Sequence, residues 1–382
     1  MKVFIASDLR ATVSNGRIYL ASQHYYIIKR YHEAFGPCTL CSRVLHQNAD
    51  DKLIDATDII DRLIEVKSLG YSFVPRFYKM IKSAIAESDL VIGRLHSIIG
   101  MHALCYAKRQ GKKCFAEVMG DAWDGYWNHS WRGKLVAPYA FLMTRKVVRN
   151  ADYASYVTSE FLQRRYPCPN ESVAVSDVQL PALSEAALKK RLEHIKAFNG
   201  KNLCLMTTGA VDVRYKGQEY VIRAIPTLNK AGIRVKYMLV GGGDSTYLQK
   251  VARQCGIENQ VEFKGRCSLD EVYEYLDEAD IYIQPSLQEG LPRSVVEAMS
   301  RGCPVIGART AGIPELIPEE CVVQRKSSRD IAEAILRIAG SEKMTELAKW
   351  NFKEAGKYQS AALKARRHAY FEYITSEVDG VR

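Results

Sequence analysis

No run of apolar residues in this 382-residue chain reaches the roughly 18 needed to cross a membrane. The opening "MKVFIASDLRATVSNG" has one lysine and a short apolar run that Asp8 and Arg10 cut off, so it reads as a first strand rather than a secretion signal. A cytoplasmic protein is expected, at most peripheral on the inner face of the membrane. Metal-ligand spacing is also lacking. The ten cysteines form no set of CxxC pairs; Cys38 and Cys41 ("CTLC") come nearest, and neither a second pair nor a histidine cluster completes a zinc site. They read as reduced thiols, and no metal is expected. There is no G-x-G-x-x-G fingerprint, which argues against a nicotinamide cofactor. No RNP motif, zinc-finger spacing or lysine-rich tail accompanies the net charge of +11, so nucleic acid is not an expected partner. Most of the positive excess lies in the first 180 residues. Such a basic face suits phosphorylated small molecules or anionic lipid.

What the chain does have is alternation. Strand-like runs such as "KVFIAS" (2–7), "CTLCSRV" (38–44), "LVIGRLH" (90–96), "KKCFAEVMG" (112–120) and "DYASYVT" (152–158) alternate with helix-length segments at 16–35, 54–66, 75–87, 98–110, 134–149 and 158–166. The pattern restarts with "NLCLMTTG" (202–209), "VKYMLVGGG" (235–243), "QVEFKG" (260–265), "DIYIQPS" (280–286) and "CPVIGAR" (303–309), with helices near 217–230, 244–255, 270–277, 292–301 and 329–338. Alternation of this kind means parallel sheets covered on both faces. The expected fold is α/β, two doubly wound Rossmann-like domains in tandem. The boundaries fall at 1–180 and 181–345, with a helical tail over 346–382 that packs back toward the first domain.

In open parallel sheets ligands sit beyond the carboxyl ends of the strands. Three turns there carry chemistry. In "GAVDVRYKGQEY" Arg214 and Lys216 precede a helix, where cations are disfavoured unless an anion such as phosphate joins them. In "LVGGGDST" the triple glycine, including Gly242 and Gly243, lets backbone amides approach a pyrophosphate, or makes a tight turn. In "QEGLPRSVVEAM" Glu289 sits in a loop and Glu297 in the next helix, eight positions on. Carboxylates accept hydrogen bonds from sugar and ribose hydroxyls. A plain salt bridge from Glu297 to Arg293 is the competing reading.

Taken together, "RYKG" (214–217), "GGG" (241–243), "VEFKGRCSLDEV" (261–272) and "PSLQEGLPRSVVEAMSRGCPVIGARTAGIPELI" (285–317) resemble the family 4, group 1 glycosyltransferases of the GT-B fold. The likeness is strong over 201–340 and looser before it. It implies two Rossmann-like domains facing each other across a cleft. It also implies that Arg214 and Lys216 hold the donor diphosphate, that Glu289 meets the sugar hydroxyls and that Glu297 holds the ribose. Gly290, Leu291 and Pro292 would lie along the sugar and phosphates, and the base near Lys264–Arg266. Gly16, in a glycine-containing loop before a helix, would face the donor from the first domain. Two positions depart from the family. Ala210 stands where an Arg often follows the strand-ending glycine. The loop "EVMGDAWDGYWNHS" has no histidine before His129; Asp121 lies nearest that catalytic place, or simply caps the next segment. The aromatic run from Trp123 to Trp127 suits a sugar acceptor or a packed loop.

The implied reaction moves a sugar, with retention, from a nucleotide-diphosphate sugar to a hydroxyl of a glycan or lipid-linked acceptor, in surface polysaccharide biosynthesis. No cofactor beyond that co-substrate is expected, since the cations and loop amides would stabilise the leaving diphosphate. The segments 74–85 and 134–149 could lie on an anionic membrane or pack on the sheet. A sugar-nucleotide epimerase of the same shape, or a non-catalytic nucleotide-sugar binder, are the rival readings.

Overall fold

Residues 1–380, described by a computed structural model, alternate strand and helix along the chain. They fall into two units, one of Met1–Val175 with the chain from Lys364, the other of Ser176–Leu363.

The first unit holds β1 (Val3–Ser14), β2 (Arg17–Ala21), β3 (Cys38–His46), β4 (Leu53–Asp55), β5 (Arg62–Val66), β6 (Leu90–Leu95), β7 (Lys113–Val118), β8 (Tyr153–Tyr156) and β9 (Ser172–Ala174). The parallel path runs β5-β3-β1-β6-β7-β8-β9. β1 continues past an irregularity between Ala6 and Arg10 and turns back into β2 as an antiparallel hairpin, against which β4 pairs. This corrects the expected helix over 16–35. Asn15 (φ 49°) and Gly16 (φ 75°) both take the left-handed backbone that a tight hairpin turn requires, and the helix begins only at Ser22. The expected helix over 54–66 is also corrected. That stretch gives β4, a single 3₁₀ turn at Thr57–Ile59, and β5, whose Ile64 and Val66 are buried while Arg62 and Glu65 face solvent.

The second unit has a fully parallel sheet: β10 (Asn202–Thr208), β11 (Arg234–Val240), β12 (Val261–Gly265), β13 (Ile281–Gln284), β14 (Val305–Ala308) and β15 (Val322–Val323). Its order is β12-β11-β10-β13-β14-β15. The chain winds outward from β10 to β12, then returns to the other side of β10 to start β13. The switch point therefore lies between β10 and β13, and the loops leaving those two strands open the natural ligand crevice.

The tail boundary shifts from 346. Helix Ser341–Ala355 belongs to the second unit, where Met344 and Ala348 pack on Ile195 of helix Glu185–Lys196. The last helix, Ser360–Asp379, passes into the first unit at Lys364. There Tyr370, Phe371, Ile374 and Val378 join Tyr31, Phe35 and Phe115 in one core, each contributing about 1.5–3 kcal/mol of burial. The Tyr370 hydroxyl bonds the backbone of Ala154 and Glu171, which ties the helix to β8 and to the chain entering β9. Among the described residues no helix is long and apolar enough to cross a membrane.

Candidate active site

The crevice of the second unit is built by close backbone packing. β10 ends at Thr208, and its loop descends through the 3₁₀ turn Arg214–Lys216 to Gly217 (φ 72°). A Cβ at Gly217 would lie 2.2 Å from the Pro285 carbonyl oxygen, so only glycine lets this loop meet the loop after β13. The Leu287 amide donates to the Tyr215 carbonyl at 2.7 Å and joins the two loops.

On that frame the structure brings Lys216 and Glu289 together. Lys216 Nζ lies 2.8 Å from Glu289 Oε1, with both side chains largely withdrawn from solvent. The same oxygen accepts from Gln284 Nε2 at 3.0 Å. Gln284 closes β13 and is buried; its amide also donates to Ser286 Oγ at 2.8 Å, while its Oε1 accepts from the Tyr282 hydroxyl at 2.7 Å and from Ser294 Oγ at 3.2 Å. Gln284, Tyr282 and Ser294 had not been singled out from the sequence. The signal was a lone amide ending an apolar strand, since a buried amide must find partners.

Glu297 lies half-buried on helix Arg293–Ser300, its carboxylate without a hydrogen bond among the described residues. Burial raises its pKa, and the Arg293 charge offsets this in part without closing an ion pair. The plain salt bridge is thus not formed. Pro292 stands at the N-cap of that helix with no side-chain cap, Leu291 and Pro292 are buried, and the Gly290 carbonyl accepts from Gly312 N–H at 2.9 Å.

Other expected residues are placed differently. The Arg214 guanidinium stacks 4.0 Å over the Tyr247 ring, whose hydroxyl donates to Glu219. In the triple glycine, a Cβ at Gly242 would meet Arg266 Cγ at 2.6 Å and one at Gly243 would meet Asp212 Oδ1 at 2.4 Å. These glycines let the loops after β10, β11 and β12 converge. Arg266 lies on that convergence. Lys264 does not: it is paired with Glu262 at 2.8 Å, over Tyr275, and that pairing raises its pKa.

In the first unit Gly16 is an exposed hairpin tip, with nothing within 4 Å of an added Cβ, rather than part of a strand-to-helix loop. Of its two expected places, Asp121 takes the capping one. It is 2% exposed, caps helix Ala122–Trp127 through the Trp123 amide, pairs with Arg165 Nε at 2.8 Å and accepts from the Tyr166 hydroxyl. One oxygen takes all three donors, which is the capping arrangement and leaves the side chain inside the unit's frame. In the same helix Trp123 and Trp127 stack at 5.3 Å. Among the described residues no three His, Cys, Asp or Glu side chains gather to hold a metal. Burial pushes the Cys38 thiol up to about 12, with Asp61 adding to the effect.

Comparison with known proteins agrees with this architecture. Residues 202–341, which contain β10 to β15 and the crevice, match the family "Glycosyl transferases group 1". Protein CapJ of Staphylococcus aureus is 28% identical over 91% of this chain and 88% of its own length. The amylovoran biosynthesis glycosyltransferase AmsK of Erwinia amylovora is 34% identical over 33% of this chain and 34% of its own. The solved structure of Anabaena HepE in complex with UDP superposes with a TM-score of 0.64 at 16% identity, over 98% of this chain and 100% of that one. Residues 202–341 thus carry a group 1 glycosyltransferase domain, and the chain shares its α/β fold with the solved HepE structure.

Proposed function

We propose that the protein transfers a sugar from a nucleotide-diphosphate donor to a hydroxyl of a glycan or lipid-linked acceptor, with retention, in the biosynthesis of a surface polysaccharide. The observation that carries this reading is the crevice at the switch point: a Lys216–Glu289 pair at 2.8 Å, with the half-buried carboxylate of Glu297, unpartnered among the described residues, on the helix that Ser294 ties to Gln284. Withdrawn charges that lack a complete set of partners are poised for a polar ligand. In this assignment Glu297 accepts from the ribose hydroxyls and Glu289 from those of the sugar. Lys216 passes to the diphosphate, with Arg214 turning off the Tyr247 ring as a second cation. Gly290, Leu291 and Pro292 line the sugar and phosphates, the loop of Gly242 and Gly243 lies under the diphosphate, and Arg266 borders the base. The bond from the anomeric carbon to the diphosphate oxygen breaks, and the acceptor oxygen takes its place. The products are the glycosylated acceptor, the nucleoside diphosphate and a proton. Charge on the departing diphosphate is met by Lys216 and Arg214, so the reading needs no metal and no further cofactor. The UDP bound to HepE and the amylovoran pathway named for AmsK support the donor class and the process.

The outer surface of the first unit supports a peripheral contact with an anionic bilayer. Helix Trp131–Arg149 exposes Trp131, Leu135 and Leu142 and carries five cations and no acid; helix Pro75–Ala86 exposes Arg76, Lys79 and Lys82.

The donor assignment is tested by thermal shift with UDP, GDP, ADP and NAD, on wild type and Glu297→Ala. One nucleoside diphosphate should raise the wild-type melting temperature by several degrees and that of the variant far less. Equal responses, or stabilisation by NAD alone, would overturn it.

A further inference from the structure

We infer that Gln284 is the positioning residue of this site: its side-chain amide fixes the rotation of the Glu289 carboxylate so that one oxygen is held by protein and the other is presented to the donor sugar. The inference rests on the donor-site reading above and adds a residue to it.

The argument is one of hydrogen-bond capacity. Glu289 Oε1 is taken by Lys216 Nζ at 2.8 Å and Gln284 Nε2 at 3.0 Å. Oε2 has no partner among the described residues. A carboxylate pinned through one oxygen cannot turn freely, so the direction of the other is set.

The amide itself cannot flip. Its Oε1 accepts from the Tyr282 and Ser294 hydroxyls, and its Nε2 donates to Glu289 and Ser286. Turned over, the amide oxygen would face an anionic oxygen at 3.0 Å, acceptor against acceptor. Tyr282 is in turn anchored inside the sheet, where its hydroxyl accepts from the Thr208 amide at 3.3 Å. A buried chain thus runs from the end of β10 through Tyr282 and Gln284 to Glu289, and Ser294 ties it to the helix that carries Glu297.

The two donors to Oε1 are not equivalent. Lys216 is a cation that a diphosphate will attract. Gln284 is buried, neutral and held at both ends. When a donor draws Lys216 to its phosphates, Gln284 remains as the hold on Glu289. Its contribution is therefore largest when the sugar is bound, and it does not touch the nucleotide.

That asymmetry defines the test. Dissociation constants are measured for UDP, UDP-glucose, GDP and GDP-mannose on wild type, Gln284→Leu, Tyr282→Phe and Glu289→Gln, with melting temperatures to confirm folding. For the base that wild type prefers, the advantage of the sugar conjugate over the plain diphosphate should fall about tenfold in Gln284→Leu, the scale of one hydrogen bond to a charged group. Affinity for the plain diphosphate should stay within about threefold. Tyr282→Phe, which removes one hydroxyl and keeps the ring, should move the same ratio in the same direction by less. A merely structural role would weaken both ligands alike. If Glu289→Gln lowers the ratio and the Gln284 and Tyr282 variants leave it unchanged, the positioning role is wrong and the donor site stands. If wild type binds none of the four ligands, the donor site itself falls and this role with it.

Discussion

Glu297 shows how a single side chain can be kept at a cost. Burial raises its pKa, so the folded protein holds the ionised form less favourably than the unfolded chain does. Because the folded value is the higher one, the charged carboxylate costs stability at every pH above it, and the cost vanishes as pH falls below the unfolded value. Glu297→Gln should therefore raise the melting temperature of the unliganded protein at neutral pH by roughly 1–3 °C, and the gain should shrink in acid. The same variant should bind nucleoside diphosphate about tenfold or more weakly. Melting curves across pH, with and without ligand, check both signs. Asp121 is the opposite case. Its cap and its buried pair with Arg165 make Asp121→Ala destabilising by about 2–4 kcal/mol, with diphosphate binding at the second unit unchanged. Denaturant titration beside a binding isotherm separates this from a catalytic role, which would leave folding intact.

Elements explain what could be read from sequence. In the second unit the central strands β10, β11 and β13 are mostly buried and each leads through a turn to an amphipathic helix, so their boundaries stand within a few residues of the apolar runs. The first unit was harder. Ile59, Leu63 and Val66 recur at spacings a helix would use, yet the chain pairs β5 alongside β3, a long-range choice that local periodicity does not carry. The Asn15–Gly16 turn was legible as a hairpin signal, but the apolar segment after it dominated. The site divides in the same way. Parallel sheets put Lys216 and Glu289 at carboxyl ends, so their roles could be framed; their direct pairing across 73 positions could not. Lys264 and Arg266 are two residues apart, and only the side-chain directions separate the one paired with Glu262 from the one over Gly242. Gly217 joins element to site. Gly217→Ala would force a Cβ against the Pro285 carbonyl at a positive φ, so it should displace Lys216 from Glu289 and abolish diphosphate stabilisation in thermal shift while the sheet remains folded by circular dichroism.

At the scale of the whole molecule, the net charge of +11 is distributed unevenly, and one surface of the first unit concentrates it beside apolar side chains. On helix Trp131–Arg149 the positions Trp131, Leu135, Pro138 and Leu142 follow helical spacing along one exposed stripe; Trp131 is 69%, Leu135 74% and Leu142 63% exposed. Arg145, Lys146 and Arg149 continue from it, and Lys134 lies over the Trp127 ring at 5.7 Å. Phe73, 51% exposed, packs on Tyr139 of the same helix, which carries the apolar surface toward helix Pro75–Ala86 and its exposed Arg76, Lys79 and Lys82. Large apolar side chains left in water are costly unless something covers them. Cations without intervening acids select an anionic partner, each contributing about 1 kcal/mol near a charged bilayer. The protein should therefore sediment with phosphatidylglycerol vesicles and not with phosphatidylcholine vesicles, and salt should release part of it, since it screens the cations but not the apolar contact. Replacing Trp131 and Leu135 by serine should lower the bound fraction at every salt concentration. Arg76→Glu with Lys79→Glu should abolish the preference for anionic lipid. Equal sedimentation of all variants, or self-association without lipid that the serine substitutions abolish, would assign this surface to a second copy of the chain instead.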